Sequence, residues 1–434
     1  MLGCSFRFLK SSEIIPMEPE PVNPGVGSRP YPASDDKFKT LYLCRPLIQQ
    51  NGDSWENYMI KLPKFLTIFA MIVLFPISAE TKETYIPILV PITGFLSLEG
   101  TAQRNGAIQA LDDASSSLKI KYEISDTSTS PEIAVTALQR ALSRGKPVAI
   151  AAPIFGTQML AMLPIAKRAG VPLITVSGTA KLTELDNPFI FRFFPGDAVV
   201  KVAHARYVTE VLRAKRPALL YQTTAYGQSG YSHLSKALRK AGAPLVFEEA
   251  LAPSVKDMLP ALTKLRASKP DVILLHLHST PTALVIRQAR NSGIELPIVA
   301  GSAMHQPSTA KLLKNHQLRG VCAETAASPI SETHPELIQF TTEYKKRFQT
   351  LPDAFALAQY DGMNMVISAL RSGAKTAMDI RNWLATNTFN GLAMKYKSDG
   401  KGNMGHDATI VCYDGTTKTP KITKKYLNVD GTFN

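Results

Sequence analysis

Beyond residue 84 the chain alternates short, apolar, often β-branched runs with stretches whose apolar positions recur at helical spacing. Residues 85–91 (YIPILVP) predict a buried strand, followed by a turn at Thr93-Gly94 and a helix through Gln103, Ile108 and Leu111. Residues 120–125 (IKYEIS) alternate as a strand. Ser130-Pro131-Glu132 then offers an N-cap with proline at the first helical position, and the helix it opens closes on Gly145. The reading continues with strands at 147–152, 172–176, 218–221, 245–249, 272–277 and 298–300, and helices at 157–169, 231–241, 258–268 and 281–291. After Cys322 the alternation loosens into long helices at 334–348 and 354–373 and a final strand pair at 408–413 and 421–426.

Regular β-α alternation implies parallel sheets flanked by helices, because parallel strands need a crossover and the crossover helix covers the sheet face. Strands this short and this numerous fit two sheets better than one. The fold class is therefore α/β with two lobes, each a mostly parallel sheet flanked by helices, a break near Pro195-Gly196-Asp197 and a cleft between them. Lobe 1 takes residues 84–198 and 327–405, lobe 2 takes 199–326 and 406–420, and 421–434 are a C-terminal tail.

One upstream stretch reads differently. Met59 opens the segment MIKLPK with two lysines, and residues 65–76 (FLTIFAMIVLFP) form an apolar run that ends at Ile77-Ser78-Ala79. A charged start, a short apolar core and a small residue at the cut describe a secretory signal peptide, whereas a membrane span needs about 20 apolar residues. Residues 59–79 are read as this signal, with translation starting at Met59. The proline-rich residues 1–58 are then a disordered leader or lie outside the translated protein.

The 434 residues carry 49 Lys and Arg against 35 Asp and Glu, a net charge of +14 that ordinarily raises nucleic acid as a partner. Residues 1–79 hold eight and seven of these, so the exported part keeps 41 against 28, or +13. That charge is dispersed, without aromatics interleaved with Arg along one element, and nucleic acid is not expected. Of four cysteines only Cys322 and Cys412 follow the signal; they either form a disulfide or remain two buried thiols on separate strands.

Neither glycine-rich phosphate loop occurs, and Gly227-Gln228-Ser229-Gly230 has the wrong spacing for a nucleophile elbow. His276 and His278 share one face of a strand and, with His305, would offer three imidazoles to zinc, but no carboxylate accompanies them. They are read as hydrogen-bonding groups at the cleft edge. An enzyme, a cofactor and a metal are not expected.

An exported two-lobe chain without catalytic residues suggests a binding protein, and particular stretches sharpen this. A strand leads into Thr93-Gly94-Phe95-Leu96-Ser97-Leu98-Glu99-Gly100. Residues 165–174 (IAKRAGVPLI) lead into Ser177-Gly178-Thr179-Ala180, and Phe191-Arg192 precedes Asp197. Ala225-Tyr226-Gly227-Gln228-Ser229 and Ile286-Arg287-Gln288-Ala289-Arg290 follow. In order and spacing, over residues 84–415, this set resembles the type I periplasmic solute-binding proteins of ABC transporters, the branched-chain amino acid (Leu/Ile/Val) binding family. The resemblance implies a periplasmic monomer that captures a small-molecule ligand by hinge closure and delivers it to an inner-membrane ABC permease. The other reading is a ligand-sensing or envelope interaction module built on the same fold.

In that family the ligand carboxylate is held by hydroxyls and backbone N–H groups at strand-to-helix turns of the first lobe, where a helix start presents free N–H groups and a positive dipole end. The matching turns are residues 153–158, with Phe155, Gly156 and Thr157, and residues 177–179, with Ser177 and Thr179, whose hydroxyls bind the ligand or merely cap a helix. Tyr226 either matches a position that closes over the ligand or is a packing residue of its turn, and His278 or Ser279 matches another contact. There are two departures from the family pattern. Ser302 stands where amino-acid-binding members place an acidic residue against the ammonium, and Glu99 replaces an aromatic. An ammonium buried without a carboxylate is costly, so the expected ligand is a small polar or carboxylate-bearing solute, amino-acid-like, an amide or an aromatic acid, rather than an unmodified α-amino acid. Glu99 either caps its own helix or, facing the cleft, supplies a displaced cation partner.

Overall fold

The structure, a computed structural model, describes residues 83–431. The expected leader at 1–58 and the expected signal peptide at 59–79 lie outside the described residues. The described chain opens with β1 (Thr84–Tyr85) and β2 (Ile88–Val90), two short strands where one run was predicted. Pro87 lies between them and has no N–H to give to a ladder. Next come α1 (Ser97–Ala114), β3 (Ile120–Lys121), β4 (Ile124–Asp126), α2 (Pro131–Arg144), β5 (Ile150–Ala151), α3 (Gly156–Ala169), β6 (Leu173–Thr175) and β7 (Ile190–Arg192). Helix α2 starts as predicted: the Ser130 side chain accepts the Ile133 N–H, and Pro131 needs no partner in the first turn. Strands β4-β2-β5-β6-β7 form a parallel five-stranded sheet. Strand β7 was not among the predicted strands.

The chain then crosses to a second sheet through α4 (Asp197–Arg206). There it lays down β8 (Pro217–Gln222), α5 (Ala225–Lys240), β9 (Phe247–Leu251), α6 (Leu259–Ala267), β10 (Val272–His276), α7 (Ser279–Asn291), β11 (Ile298–Ala300), α8 (Pro307–Lys311) and β12 (Val321–Thr325). It returns to the first sheet with α9 (Pro335–Phe348), α10 (Ala354–Arg371), α11 (Ala377–Thr386) and the hairpin of β13 (Thr388–Asn390) and β14 (Lys395–Lys397). A last crossing adds β15 (Ala408–Tyr413) and β16 (Lys421–Tyr426), giving the seven-stranded order β16-β15-β12-β11-β10-β8-β9. Residues 421–426, set outside lobe 2 as a tail, are thus the edge strand of this sheet.

Alternate strand residues bury opposite faces. In the first sheet Ile88 and Val90 pack with Leu111, Met363 and Val366, while Leu89, Ile150 and Leu173 pack with Leu138, Met159 and Leu163. In the second, Ile273 and Leu275 meet Leu262 and Ile286, and Leu219 and Leu274 meet Val208 and Leu234. Helix α5 begins at Ala225 instead of residue 231, because the Thr224 hydroxyl accepts the Gly227 N–H at 3.1 Å and makes an N-cap that Gly227 and Gly230 obscure in the sequence. The shift matters, since it puts Tyr226 in the first turn of a helix.

Cys322 on β12 and Cys412 on β15 lie directly opposite in antiparallel register and are joined by a disulfide, so the alternative of two free thiols falls away. The bridge ties residues 90 apart, enclosing the whole return to the first sheet. A link across a loop that long restricts the unfolded chain strongly. Replacing Cys322→Ser and Cys412→Ser together is expected to cost about 2–5 kcal/mol of stability. The check is the urea midpoint of the double variant; a midpoint equal to that of the parent would show that the bridge contributes nothing.

Candidate functional site

A cavity between the two sheets is lined almost entirely by turns that follow the carboxyl ends of strands: Glu99 after β2, Ile154 after β5, Gly178 after β6, Tyr226 after β8, His278 after β10 and Ser302 after β11. This is where open α/β sheets bind ligands. The lobes are drawn together over it. Ser229 Oγ accepts the Ala180 N–H at 2.9 Å and Thr157 Oγ1 accepts the Ala225 N–H at 3.4 Å, each across the cleft. The free space between them is ≈ 20 Å³, room for about one water.

On the first-lobe side the turn around Gly178 is held from behind by Arg192, which is fully buried. Its Nη1 donates to the carbonyls of Thr179 (2.6 Å) and Ser177 (3.3 Å), its Nη2 to Thr183 Oγ1 (2.8 Å) and its Nε to Asn403 Oδ1 (3.0 Å). Burial pulls this guanidinium down to about 10, which leaves it charged at neutral pH. The backbone of the turn is thereby occupied, whereas the hydroxyls of Ser177 and Thr179 are buried and have no partner among the described residues. Neither caps a helix: Thr179 heads the 3₁₀ turn Ala180–Thr183 without a side-chain bond. Close packing fixes both ends of the turn. A Cβ at Gly156 would lie 2.0 Å from Thr179 Oγ1, and one at Gly178 would lie 3.0 Å from the Tyr226 ring.

From the second lobe Tyr226 lies against His276, with ring centroids 3.9 Å apart, and stacks on His278 at 4.9 Å and 28°. Phe155 meets Phe95 edge-on at 5.4 Å and His278 at 6.1 Å. Burial pushes His278 down to about 3 and His276 well below its ordinary value, so both rings are neutral. Burial, reinforced by the carboxyl groups of Asp197, Glu324 and Glu99, keeps the Tyr226 hydroxyl protonated. His305 turns away to Ser328 Oγ at 2.8 Å, so the three imidazoles do not converge.

Glu99 corrects one half of its predicted alternatives. Its own helix α1 has Leu96 as N-cap with no side-chain bond. Instead Glu99 Oε1 accepts both the backbone N–H (2.8 Å) and the hydroxyl (2.7 Å) of Ser279, capping α7 from across the cleft. Its Oε2 lacks a partner among the described residues, and burial raises its pKa against the Ser279 hydrogen bonds. Behind Ser279, Gln306 bonds both the Ser279 hydroxyl and Asp353, and Asp353 caps α10 by accepting the Ala356 N–H at 2.8 Å. A chain of polar contacts therefore runs from α1 through the second lobe and back to α10.

Of the residues predicted for the site, Glu99, Tyr226, His278 and Ser302 line the cavity, and Ser177 and Thr179 flank the lining Gly178. Phe155, Gly156, Thr157 and Ser279 stand behind them, making the contacts just described. Unpredicted are Asp197 and Glu324, both buried and both lining the cavity. Glu324 pairs with the buried Lys201 and lies 2.8 Å from His204 Nδ1; burial would raise its pKa, but these two partners hold it below the usual range. Burial raises Asp197 to about 7 against the pull of Lys201, and its Oδ2 has no partner among the described residues. A signal was present: Lys201 interrupts the apolar run at 199–205 (VVKVAHA), and a lysine on a buried helix face requires a nearby carboxylate.

The chain is similar to an amino acid binding protein of Pseudomonas aeruginosa PAO1, 24% identical over 336 residues that cover 74% of this chain and 87% of the relative. It is also similar to a leucine-, isoleucine-, valine-, threonine- and alanine-binding protein of the same strain, at 20% identity over 343 residues, 76% of this chain and 89% of that one. Among solved structures, a leucine binding protein from Thermotoga maritima superposes with a TM-score of 0.73 at 22% identity, covering 79% of this chain and 98% of that chain. A solute binding protein of an ABC transporter from Rhodopseudomonas palustris BisB5, in complex with 3,4-dihydroxybenzoic acid, gives 0.74 at 18%, covering 80% and 98%. At such identities the structures speak for the two-lobe fold. The family model for periplasmic binding proteins matches residues 83–418, and the chain belongs to that family of solute-binding proteins, which are not enzymes.

Proposed function

We propose that the protein is the periplasmic substrate-binding component of an ABC importer, acting as a monomer that captures a small carboxylate- or amide-bearing solute and passes it to a membrane permease. The observation that carries this reading is the pair of buried, unpartnered hydroxyls on Ser177 and Thr179 beside a cavity between two lobes. Burying a hydroxyl without a hydrogen bond costs about 1–3 kcal/mol, a cost that a ligand oxygen removes. The uncapped start of α3 at Phe155 adds free N–H groups and a positive dipole end on the same side. Opposite it, Tyr226 and His278 offer neutral aromatic faces, and Ser302 offers a hydroxyl, to the body of the solute. The similarity to a leucine binding protein and to a solute binding protein in complex with 3,4-dihydroxybenzoic acid supports a carboxylate at one end. Hinge motion at the crossings between the sheets would open the cleft and then close it over the solute, excluding water.

The test is a thermal-shift screen with small acids, amides, aromatic carboxylates and amino acids. At least one class should raise the melting temperature. Ser177→Ala and Thr179→Ala should each weaken that ligand by about 5- to 100-fold. Because these hydroxyls make no protein bond, the same variants should leave the unliganded melting temperature unchanged or slightly higher. A panel without a hit, or variants that bind like the parent, would overturn the reading.

Cleft charge adds a pH dependence. Lys201 balances Glu324 and the imidazoles are neutral, so ionisation of Asp197 makes the cleft more negative as pH rises through about 7. Affinity for a carboxylate-bearing ligand should fall over that range. Stability should respond with the same sign. The folded chain holds a proton that the unfolded chain, titrating near 3.8, releases; this contribution is whole below about 4 and is lost as pH rises to about 7. The slope for one such proton is at most about 1.4 kcal/mol per pH unit. Urea titrations between pH 4 and 8 on Asp197→Asn should lack this component, and an unchanged pH profile would assign the proton elsewhere.

A further inference from the structure

The far end of α7 borders a second concavity, of ≈ 560 Å³, whose charged lining is all of one sign. Arg287 reaches it from α7, Lys311 from the end of α8, Lys314 from the loop that follows and Lys418 from the β15–β16 connection. No carboxylate lines it. The acids nearest in sequence are engaged elsewhere: Asp414 pairs with Lys421 at 3.1 Å and Glu295 approaches Arg290 at 4.0 Å. None of the four cations takes part in a salt bridge among the described residues, and all four are exposed.

The scaffold around them is fixed by hydrogen bonds to neutral acceptors. Lys418 Nζ donates to the Lys311 carbonyl at 3.3 Å, Asn315 Nδ2 to the Thr416 carbonyl at 2.7 Å and Gln317 Nε2 to Asn291 Oδ1 at 3.1 Å. Four converging cations repel one another, and soluble surfaces normally intersperse the two signs to avoid this. A multiply charged anion seated among them would reverse the balance. The concavity is also separate from the cleft: Ser279 opens α7 at the cavity and Asn291 closes it here, twelve residues or about 18 Å away at 1.5 Å per residue.

We propose that this concavity is a second binding site, for a phosphate-bearing anion, held by Arg287, Lys311, Lys314 and Lys418. The same chemistry is offered by free phosphate and by the headgroups of anionic lipids; the latter would hold the outer end of the second lobe at a membrane surface. Near such a surface each cation strengthens binding about fivefold, so reversing three of them should weaken it by roughly two orders of magnitude or more.

The experiment uses the full chain and the triple variant Lys311→Glu, Lys314→Glu, Lys418→Glu. A control triple, Lys395→Glu, Lys397→Glu, Lys401→Glu, carries the same change in net charge at exposed positions elsewhere. Binding is measured by sedimentation with phosphatidylglycerol-containing vesicles and with pure phosphatidylcholine vesicles, at low and high salt, and by calorimetric titration with inorganic phosphate. The apolar residues 65–76, where retained, contribute equally to all three proteins and independently of salt. Salt-sensitive binding to the anionic vesicles that the site triple abolishes and the control keeps would establish a headgroup site. Saturable phosphate binding with the same variant pattern, without vesicle binding, would establish a site for the free anion. Equal losses in both triples would reduce the effect to net charge and overturn the proposal, as would failure of the parent to bind either probe.

Discussion

Arg192 carries a positive charge into the interior of the first lobe, where desolvation is expensive; its hydrogen bonds go to neutral oxygens, and the acidic groups of Asp197, Asp399 and Glu184 favour its charge from nearby. Two of the neutral oxygens are carbonyls of the Ser177–Thr179 turn and one is the side chain of Asn403, on the last crossing between the sheets. The guanidinium thus fixes the candidate binding turn to that crossing with a planar, multi-donor fork that a lysine would not reproduce. It also sets what the turn offers. With the carbonyls spent inward, the Ser177 and Thr179 hydroxyls are the groups left for the cleft. Gly196 belongs to the same device, since a Cβ there would lie 2.6 Å from Arg192 Cζ.

The second constraint crosses the cleft. Helix α7 begins without a side-chain cap of its own, and its first N–H is satisfied by Glu99 of the other lobe. The carboxylate meets the positive end of that helix, an arrangement that stabilises both partners while the lobes stay together and neither when they part. Gln306 and Asp353 extend the contact to the start of α10, so that the two helices packed side by side in the first lobe, α1 and α10, are both tied to the second. The chain's own polar groups therefore join the lobes in this conformation.

Much of the fold was legible because it follows from periodicity and capping. The α2 start at Pro131, the 298–300 strand and the final strand pair at 408–413 and 421–426 agree with the sequence reading almost residue for residue. Length alone did not decide what escaped: β7 and the ten-residue helices α4 and α11 went unread although the equally short β11 was read, and the start of α5 hides behind two glycines. In the site, the turns bearing Ser177 and Thr179 and the residue Tyr226 were singled out through the family resemblance, and they lie at or beside the cavity after strands β6 and β8. Asp197, Glu324 and the role of Glu99 were not legible. Each acts through a partner more than 100 residues away or through burial, and a linear pattern carries neither, although Lys201 inside an apolar run did mark that a buried counter-charge must exist.

Self-supported closure changes what a ligand must do. A protein whose closed form is stabilised from within spends part of its time unable to admit a solute, and the apparent affinity is reduced by that fraction. The narrow void has room for about one water, so a larger solute must enter while the lobes are apart and then hold Tyr226 away from Gly178. Glu99, which lines the cavity, lessens the conflict, because closure uses only its Oε1 while its Oε2 has no partner among the described residues. A solute that donates a hydrogen bond to Oε2 leaves the Ser279 contact intact. For such a solute, binding and closure draw on different oxygens of one carboxyl group and reinforce each other; for a solute that needs Oε1, the cap on α7 is lost and closure weakens.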